Sequence, residues 1–192
     1  MKIYFHINTE SFSNCYLVTN EDTMQALIVD PCKISSAILE QIESVPYRLA
    51  GILVTHNHRG HTRGVKTLLK VYDTRVYTAD YEVAPSYAVV LRNDGVIRVA
   101  GLEVNYWSVP GHSFSGMVYK IGSVLFTGDV LTSGTIGKTA SKYAEQTLAD
   151  NLKRKILTKD DTLTILPGHG PPSCIGVEKV INYNLQNKRS TD

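Results

Sequence analysis

Apolar residues along this chain fall into short runs and into stripes at helical spacing, and the two kinds alternate. Lys2 to Ile7, Cys15 to Thr19 and Ala26 to Asp30 are β-rich runs, whereas Ile34, Ile38, Ile42 and Val45 recur as on one face of a helix. Leu49 to Thr55 is a further apolar run, followed by the helical stripe Val65, Leu68, Leu69 and Tyr72 and by a strand over Arg75 to Thr78. In the middle, Val96 to Val99 and Leu102 to Val109 flank an Ala100-Gly101 turn. Met117 to Ile121 and Val124 to Thr127 flank Gly122-Ser123, a hairpin signal. Leu148, Leu152 and Ile156 mark a third helix, Leu163 to Leu166 a last strand, and Val177 to Leu185 a terminal helix. Strands followed by a helix thus occur twice, which predicts two packed sheets with helices outside.

No repeat, low-complexity segment or Pro/Gly/Ser-rich linker divides the 192 residues, so one domain over residues 1–192 is expected, large enough to bury a real core. Hydrophobic residues at 43% and charged residues at 20% are ordinary for a soluble globular protein. A net charge of +2 gives no basis for a nucleic-acid or membrane partner. No run of about 18 apolar residues offers a membrane span. Met1 to Glu10 reads as a first strand, not a signal peptide. Cys15, Cys32 and Cys174 are odd in number, far apart in sequence and form no CxxC. They predict idle thiols and a cytoplasmic setting.

Candidate chemistry is concentrated at the ends of the β-runs. Five of the six histidines lie in Thr55-His56-Asn57-His58-Arg59-Gly60-His61, Pro110-Gly111-His112-Ser113 and Pro167-Gly168-His169-Gly170, and Phe126-Thr127-Gly128-Asp129 adds a carboxylate. Neutral imidazoles and a carboxylate suit a borderline metal such as zinc. His56 and His58 alternate, so in an extended segment both rings face one side, and His61 follows at a helix entry. Loops at one edge of a rigid sandwich can bring such distant segments together. A lone histidine is better read as privately hydrogen-bonded, and that reading is applied to His6. It does not suit five histidines placed at strand ends beside glycines.

The segments THNHRGH, PGHS, LFTGD and ILPGHGP resemble, in order, the motifs of the metallo-β-lactamase superfamily, and among its members the small glyoxalase II-like hydrolases. Leu27-Ile28-Val29-Asp30-Pro31, Gly134 to Thr139 and Ile175 to Glu178 echo the same family. The resemblance implies an α/β fold, a four-layer αββα sandwich in a single domain, with a metal site at one edge. It implies two metal sites. His56, His58 and His112 would form the first, and His61 and His169 would serve the second. Asp129 would bridge them and act as the catalytic carboxylate. The family's HxHxDH motif places an Asp where this chain has Gly60. Two close cations would then share one carboxylate instead of two, so the second ion is expected to bind weakly or not at all. The simpler reading of Gly60 is a turn residue, and that of Arg59 a solvated side chain. Asp30 is expected beside the first loop, hydrogen-bonded to it, or else capping the Pro31 turn.

A metal-bound water is acidified toward neutrality and becomes a hydroxide nucleophile, and the ion also polarises a carbonyl. Hydrolysis of a thioester such as a hydroxyacyl-glutathione, or of a related ester, follows as the leading expectation, with zinc as cofactor and Fe2+ or Mn2+ as alternatives. The partner is a small-molecule substrate. Lys138 matches a lysine that faces glutathione in glyoxalase II, but Ala140 stands where a tyrosine is expected, and the chain ends soon after Leu185 without the family's helical C-terminal domain. A smaller or less selective substrate and reduced activity are expected. The competing readings are a mononuclear iron sulfur (persulfide) dioxygenase using His56, His112 and Asp129, and a non-catalytic metal-binding protein. The fold alone does not choose among them.

Overall fold

Sheet strands buried on both faces explain why the apolar runs are nearly continuous. In the computed structural model, which describes residues 1–186, strands β1 (Lys2–Ile7), β2 (Asn14–Asn20), β3 (Gln25–Val29), β4 (Arg48–Leu53), β5 (Val76–Thr78) and β6 (Ala88–Val90) form one six-stranded sheet in that order. The last six residues of the domain expected over 1–192 lie outside the described residues. Strands β7 (Gly95–Val99), β8 (Leu102–Ser108), β9 (Met117–Ile121), β10 (Val124–Gly128), β13 (Thr164–Pro167) and β14 (Ser173–Cys174) form a second sheet ordered β14-β13-β10-β9-β8-β7. A hairpin of β11 (Leu131–Thr132) and β12 (Thr135–Ile136) stands apart.

Successive residues of a strand enter different cores. In β3, Ala26 and Ile28 pack outward against Ile38 and Ile42 of helix α1 (Ser36–Glu43) and Val65 and Leu68 of helix α3 (Val65–Val71). Their neighbours Leu27 and Val29 join Val104, Met117, Tyr119 and Phe126 between the two sheets. In β10, Leu125 turns the other way, to Leu148 of helix α4 (Lys142–Asn151), to Leu152 and Ile156 of its π-helical continuation, and to Ile175 of helix α5 (Ile175–Ile181). Three apolar seams between four layers are therefore encoded by period-two burial, and the expected αββα sandwich is present.

Some elements differ from the sequence expectation. α1 begins after Ile34, because the Ser35 side chain caps it, and ends before Val45, which is exposed. The terminal helix runs Ile175–Ile181 and stops where Asn182 becomes extended and spends its amide on the Thr135 carbonyl and Glu178. Cys15 and Cys32, far apart in sequence, share the first core, and a hydrogen bond between their thiols is the main cause that lowers Cys32 to about 6. All three cysteines are free. Among the described residues, no helix is long and apolar enough to cross a membrane.

The layers also fix where the motifs meet. β10 and β13 are parallel neighbours with Gly128 opposite Pro167, so the residues that follow them, Asp129 and His169, emerge side by side. β4 delivers Thr55 and His56 at the same edge, where the Met117 amide donates to the Thr55 carbonyl at 2.8 Å and ties the two sheets together.

Candidate metal centre

Each histidine motif follows a strand and turns sharply into the edge cleft. After β4, His56 is buried and His58 is exposed, and the short helix α2 (Arg59–Thr62) carries His61 back inward. His56 stacks its ring centroid 4.5 Å from His58, 4.3 Å from His61 and 5.0 Å from His112. The candidate ligand atoms of His56, His58, His112 and Asp129 lie within 4.8 Å of one another, as do those of His61, Asp129 and His169. Asp129 is common to both groups, and its Oδ2 lies 3.8 Å from His56 Nε2, 3.8 Å from His112 Nε2 and 3.3 Å from His61 Nε2. Its Oδ1 lies 2.8 Å from His169 Nδ1. All six predicted ligands are thus gathered at one edge.

The hydrogen bonds behind the rings decide which nitrogen each presents. Thr55 Oγ1 donates its single proton to Asp30 Oδ2 at 2.7 Å, so it accepts from His56 Nδ1 at 3.0 Å. Asp30 Oδ2 also accepts from His61 Nδ1 at 3.1 Å. The Lys138 carbonyl accepts from His112 Nδ1 at 2.7 Å. Three rings therefore keep their Nδ1–H for an oxygen and turn Nε2 inward, the outer-shell arrangement that orients metal-binding histidines. His56 Nε2 is buried with no hydrogen-bond partner, and His61 Nε2 is buried with Asp129 Oδ2 3.3 Å away. Buried polar nitrogens without partners are costly, and a cation at this point offsets that cost. The donor set fits a divalent metal.

Charge states agree with this for the first group. Burial, then the neighbouring His61, lowers His56 to about 2, and burial lowers His58, so both are neutral donors. His61 differs. Burial opposes its charged form, but Asp30 and Asp129 outweigh burial and raise it to about 10. Asp129 is held well below the usual carboxylate range by His169 and His61 despite its burial. In the metal-free protein a proton on His61 thus occupies the charge balance of the second group.

Asp30 was placed beside the first loop by position, and the structure gives it that role. It is buried, adopts a left-handed backbone at φ 50°, and also accepts from the Thr55 amide at 2.7 Å. A non-glycine residue is strained there, and its three bonds into the motif hold it in place. Thr55→Val keeps the shape and removes the acceptor for His56 Nδ1. The expected result is metal affinity weaker by about 10–100-fold, read by competition with a chromophoric chelator. Unchanged affinity would show that Thr55 does not fix this ring.

Close approach explains two motif glycines. A Cβ at Gly168 would lie 2.5 Å from Asp129 Oδ1 and 2.6 Å from His61 Cε1, and one at Gly128 would lie 2.2 Å from Thr55 Oγ1. Gly60 is different. It sits in α2 with helical backbone, and a Cβ there meets only Ser13 Oγ at 3.7 Å, Ser13 Cβ at 3.8 Å and Ser11 Cβ at 3.9 Å. Neither conformation nor space requires glycine, so its reading as a turn residue does not hold.

Ser11 and Ser13 were not singled out by the sequence, since isolated serines after a strand carry no signal. Ser13 Oγ donates to the Gly60 carbonyl at 2.8 Å, and Ser11 Oγ lies 2.7 Å from Ser13 Oγ. The Ser11 carbonyl faces His169 Nε2 at 3.2 Å. Asn57, between the first two histidines, donates to Asp80 at 2.9 Å. Lys138 is exposed, and what ties it to the site is its carbonyl on His112. His6 pairs privately with Gln41 at 2.7 Å.

This sandwich, with histidines and one aspartate gathered at its edge from successive strand ends, is that of the metallo-β-lactamase fold. The chain belongs to the metallo-beta-lactamase superfamily, whose family profile matches residues 8–169. Its relatives place it with the glyoxalase II-like members. A hydroxyacylglutathione hydrolase of Chromohalobacter salexigens is 34% identical over 157 residues, which are 80% of this chain and 60% of the relative. The chain therefore spans less than two thirds of that relative's length. The hydroxyacylglutathione hydrolase GloC of Haemophilus influenzae is 26% identical over 199 residues, covering 91% of this chain and 93% of the relative. Among solved structures, ETHE1 from Myxococcus xanthus matches with a TM-score of 0.84 and 26% identity, over 95% of this chain and 84% of that one.

Proposed function

We propose that this chain is a metal-dependent hydrolase of a thioester or related ester, with His56, His58, His112 and Asp129 as its working metal site. The carrying observation is the convergence of Nε2 lone pairs whose rings are fixed from behind by Thr55 and Lys138. Hydrolase-named relatives support the reaction class. A divalent ion held by these residues would supply an acidified water and Lewis acidity toward a substrate carbonyl. Asp129 orients the attacking water through its Oδ2, which already lies among three imidazoles. His61 and His169 form a weaker second site, because Asp129 is the only carboxylate in either group. Zinc suits these nitrogen and oxygen donors, with iron or manganese as alternatives. Exposed Lys138 faces the thiol portion of a small-molecule substrate in the same reading, and the free cysteines fit a cytoplasmic setting.

His112→Ala tests the ligand assignment. Most bound metal is expected to be lost at micromolar protein while the far-ultraviolet circular dichroism and cooperative unfolding persist. Full metal content in a His56→Ala/His112→Ala protein would overturn it.

The persulfide dioxygenase reading draws on one observation, that His56, His112 and Asp129 offer two imidazoles and a carboxylate within the first group. Oxygen uptake with glutathione persulfide by the iron-loaded protein, without thioester turnover, would select it.

A further inference from the structure

The place left open by Gly60 is the mouth of a cleft of about 330 Å³ lined by Asn8, Glu10, Ser11, Arg59, Gly60 and Arg63. Arg59 and Arg63 lie one helical turn apart, so both guanidinium groups reach the same cleft. Arg63 Nη1 donates to Glu10 Oε2 at 2.8 Å, and Lys33 also contacts Glu10. Arg59 has no ion-pair partner among the described residues. Two cations thus contact Glu10 and Arg59 adds a third to the wall of the cleft, so the excess is positive.

That excess sits beside the second histidine group. The Ser11 carbonyl touches His169, and Gly60 precedes His61 directly. A cation is repelled by the arginines, and an anion is attracted to them and to any metal in the adjacent site. Space, charge and donors agree, since Arg presents a planar fork that matches a carboxylate.

We propose that the cleft over Gly60 is a binding site for a carboxylate of the substrate, with Arg59 and Arg63 as its counter-charges. The protein has given up its own motif carboxylate and left the position to one that arrives with the ligand. The substrate class is then a thioester or ester that carries a free carboxylate a few atoms from the scissile bond. This rests on the hydrolase reading above and narrows it.

The test is equilibrium binding, by calorimetry, of succinate and of its neutral twin succinamide to the zinc-loaded protein. Succinate is expected to bind at least about tenfold more tightly, the size of one charge-assisted hydrogen bond. Arg59→Ala should remove about that factor. Arg59→Ala/Arg63→Ala should abolish the preference by removing both counter-charges. Equal binding of the two probes, or a succinate preference unchanged in both variants, would overturn the proposal, since the anion would then rest on the metal or elsewhere. Inorganic phosphate binding more tightly than succinate with the same variant dependence would overturn the assignment to a carboxylate. Turnover of a neutral thioester, measured on the same samples, separates the two readings. Its absence with the succinate preference intact would sink the hydrolase reaction and leave the anion site standing. Its presence without the preference would sink the anion site alone.

Discussion

Replacing Asp129 with Asn is expected to depress turnover of a simple thioester by roughly a hundredfold or more, the loss typical of a positioned catalytic group. The same measurement on His169→Ala should show a smaller loss. Asp129 is the one carboxylate in reach of both histidine groups, with Oδ2 at 3.3 to 3.8 Å from three Nε2 atoms. An Asn amide keeps the size but removes the charge and turns an NH2 toward imidazoles or water. His169 serves only the second group, and its side chain is 39% exposed and engaged on both nitrogens by oxygens of Asp129 and Ser11. Its removal leaves His56, His58, His112 and Asp129 in place. Both variants need metal-buffered assays, so that loading and turnover are read separately. Equal damage from the two would mean that the second site takes part in the working protein.

Gly60→Asp should convert a weak second zinc equivalent into one near full occupancy. The geometry allows it, because a Cβ at residue 60 makes only ordinary contacts with Ser11 and Ser13. The new carboxylate would enter the corner where the Ser11 carbonyl meets His169 and would add a second carboxylate ligand beside Asp129. Zinc titration monitored by a chelating indicator reads the outcome directly. Two tight equivalents in both the natural protein and the variant would show that another group already compensates for Gly60.

The layered fold was legible because its strands are long enough to be buried on both faces. β2, β3, β9 and β10 appear in the sequence as dense apolar runs for that reason. β5 is as short as β6 but showed as the run Arg75 to Thr78, whereas β6, β11, β12 and β14 were not legible, because their pairing depends on tertiary neighbours. The terminal helix was placed too late because Asn182 leaves the helix for the Thr135 carbonyl, a contact made across 47 residues. Within the site, the histidines and Asp129 announced themselves through strand-end motifs. Asp30 was partly legible by its position after β3. Ser11, Ser13 and the Lys138 carbonyl were not, because they act through backbone groups or through hydroxyls that any serine carries. The cleft over Gly60 was invisible for a related reason. A missing side chain shows in the sequence, but the arginines gathered around the vacancy show only in the fold.

In the proposed mechanism one metal, held by His56, His58, His112 and Asp129, is enough for hydrolysis. The most direct measurement is stepwise addition of zinc to metal-free protein, with thioester turnover and bound metal followed on the same sample. Turnover should rise in proportion to the first equivalent and level off there. Turnover that stays near zero through the first equivalent and appears only with the second would show that hydrolysis needs both ions.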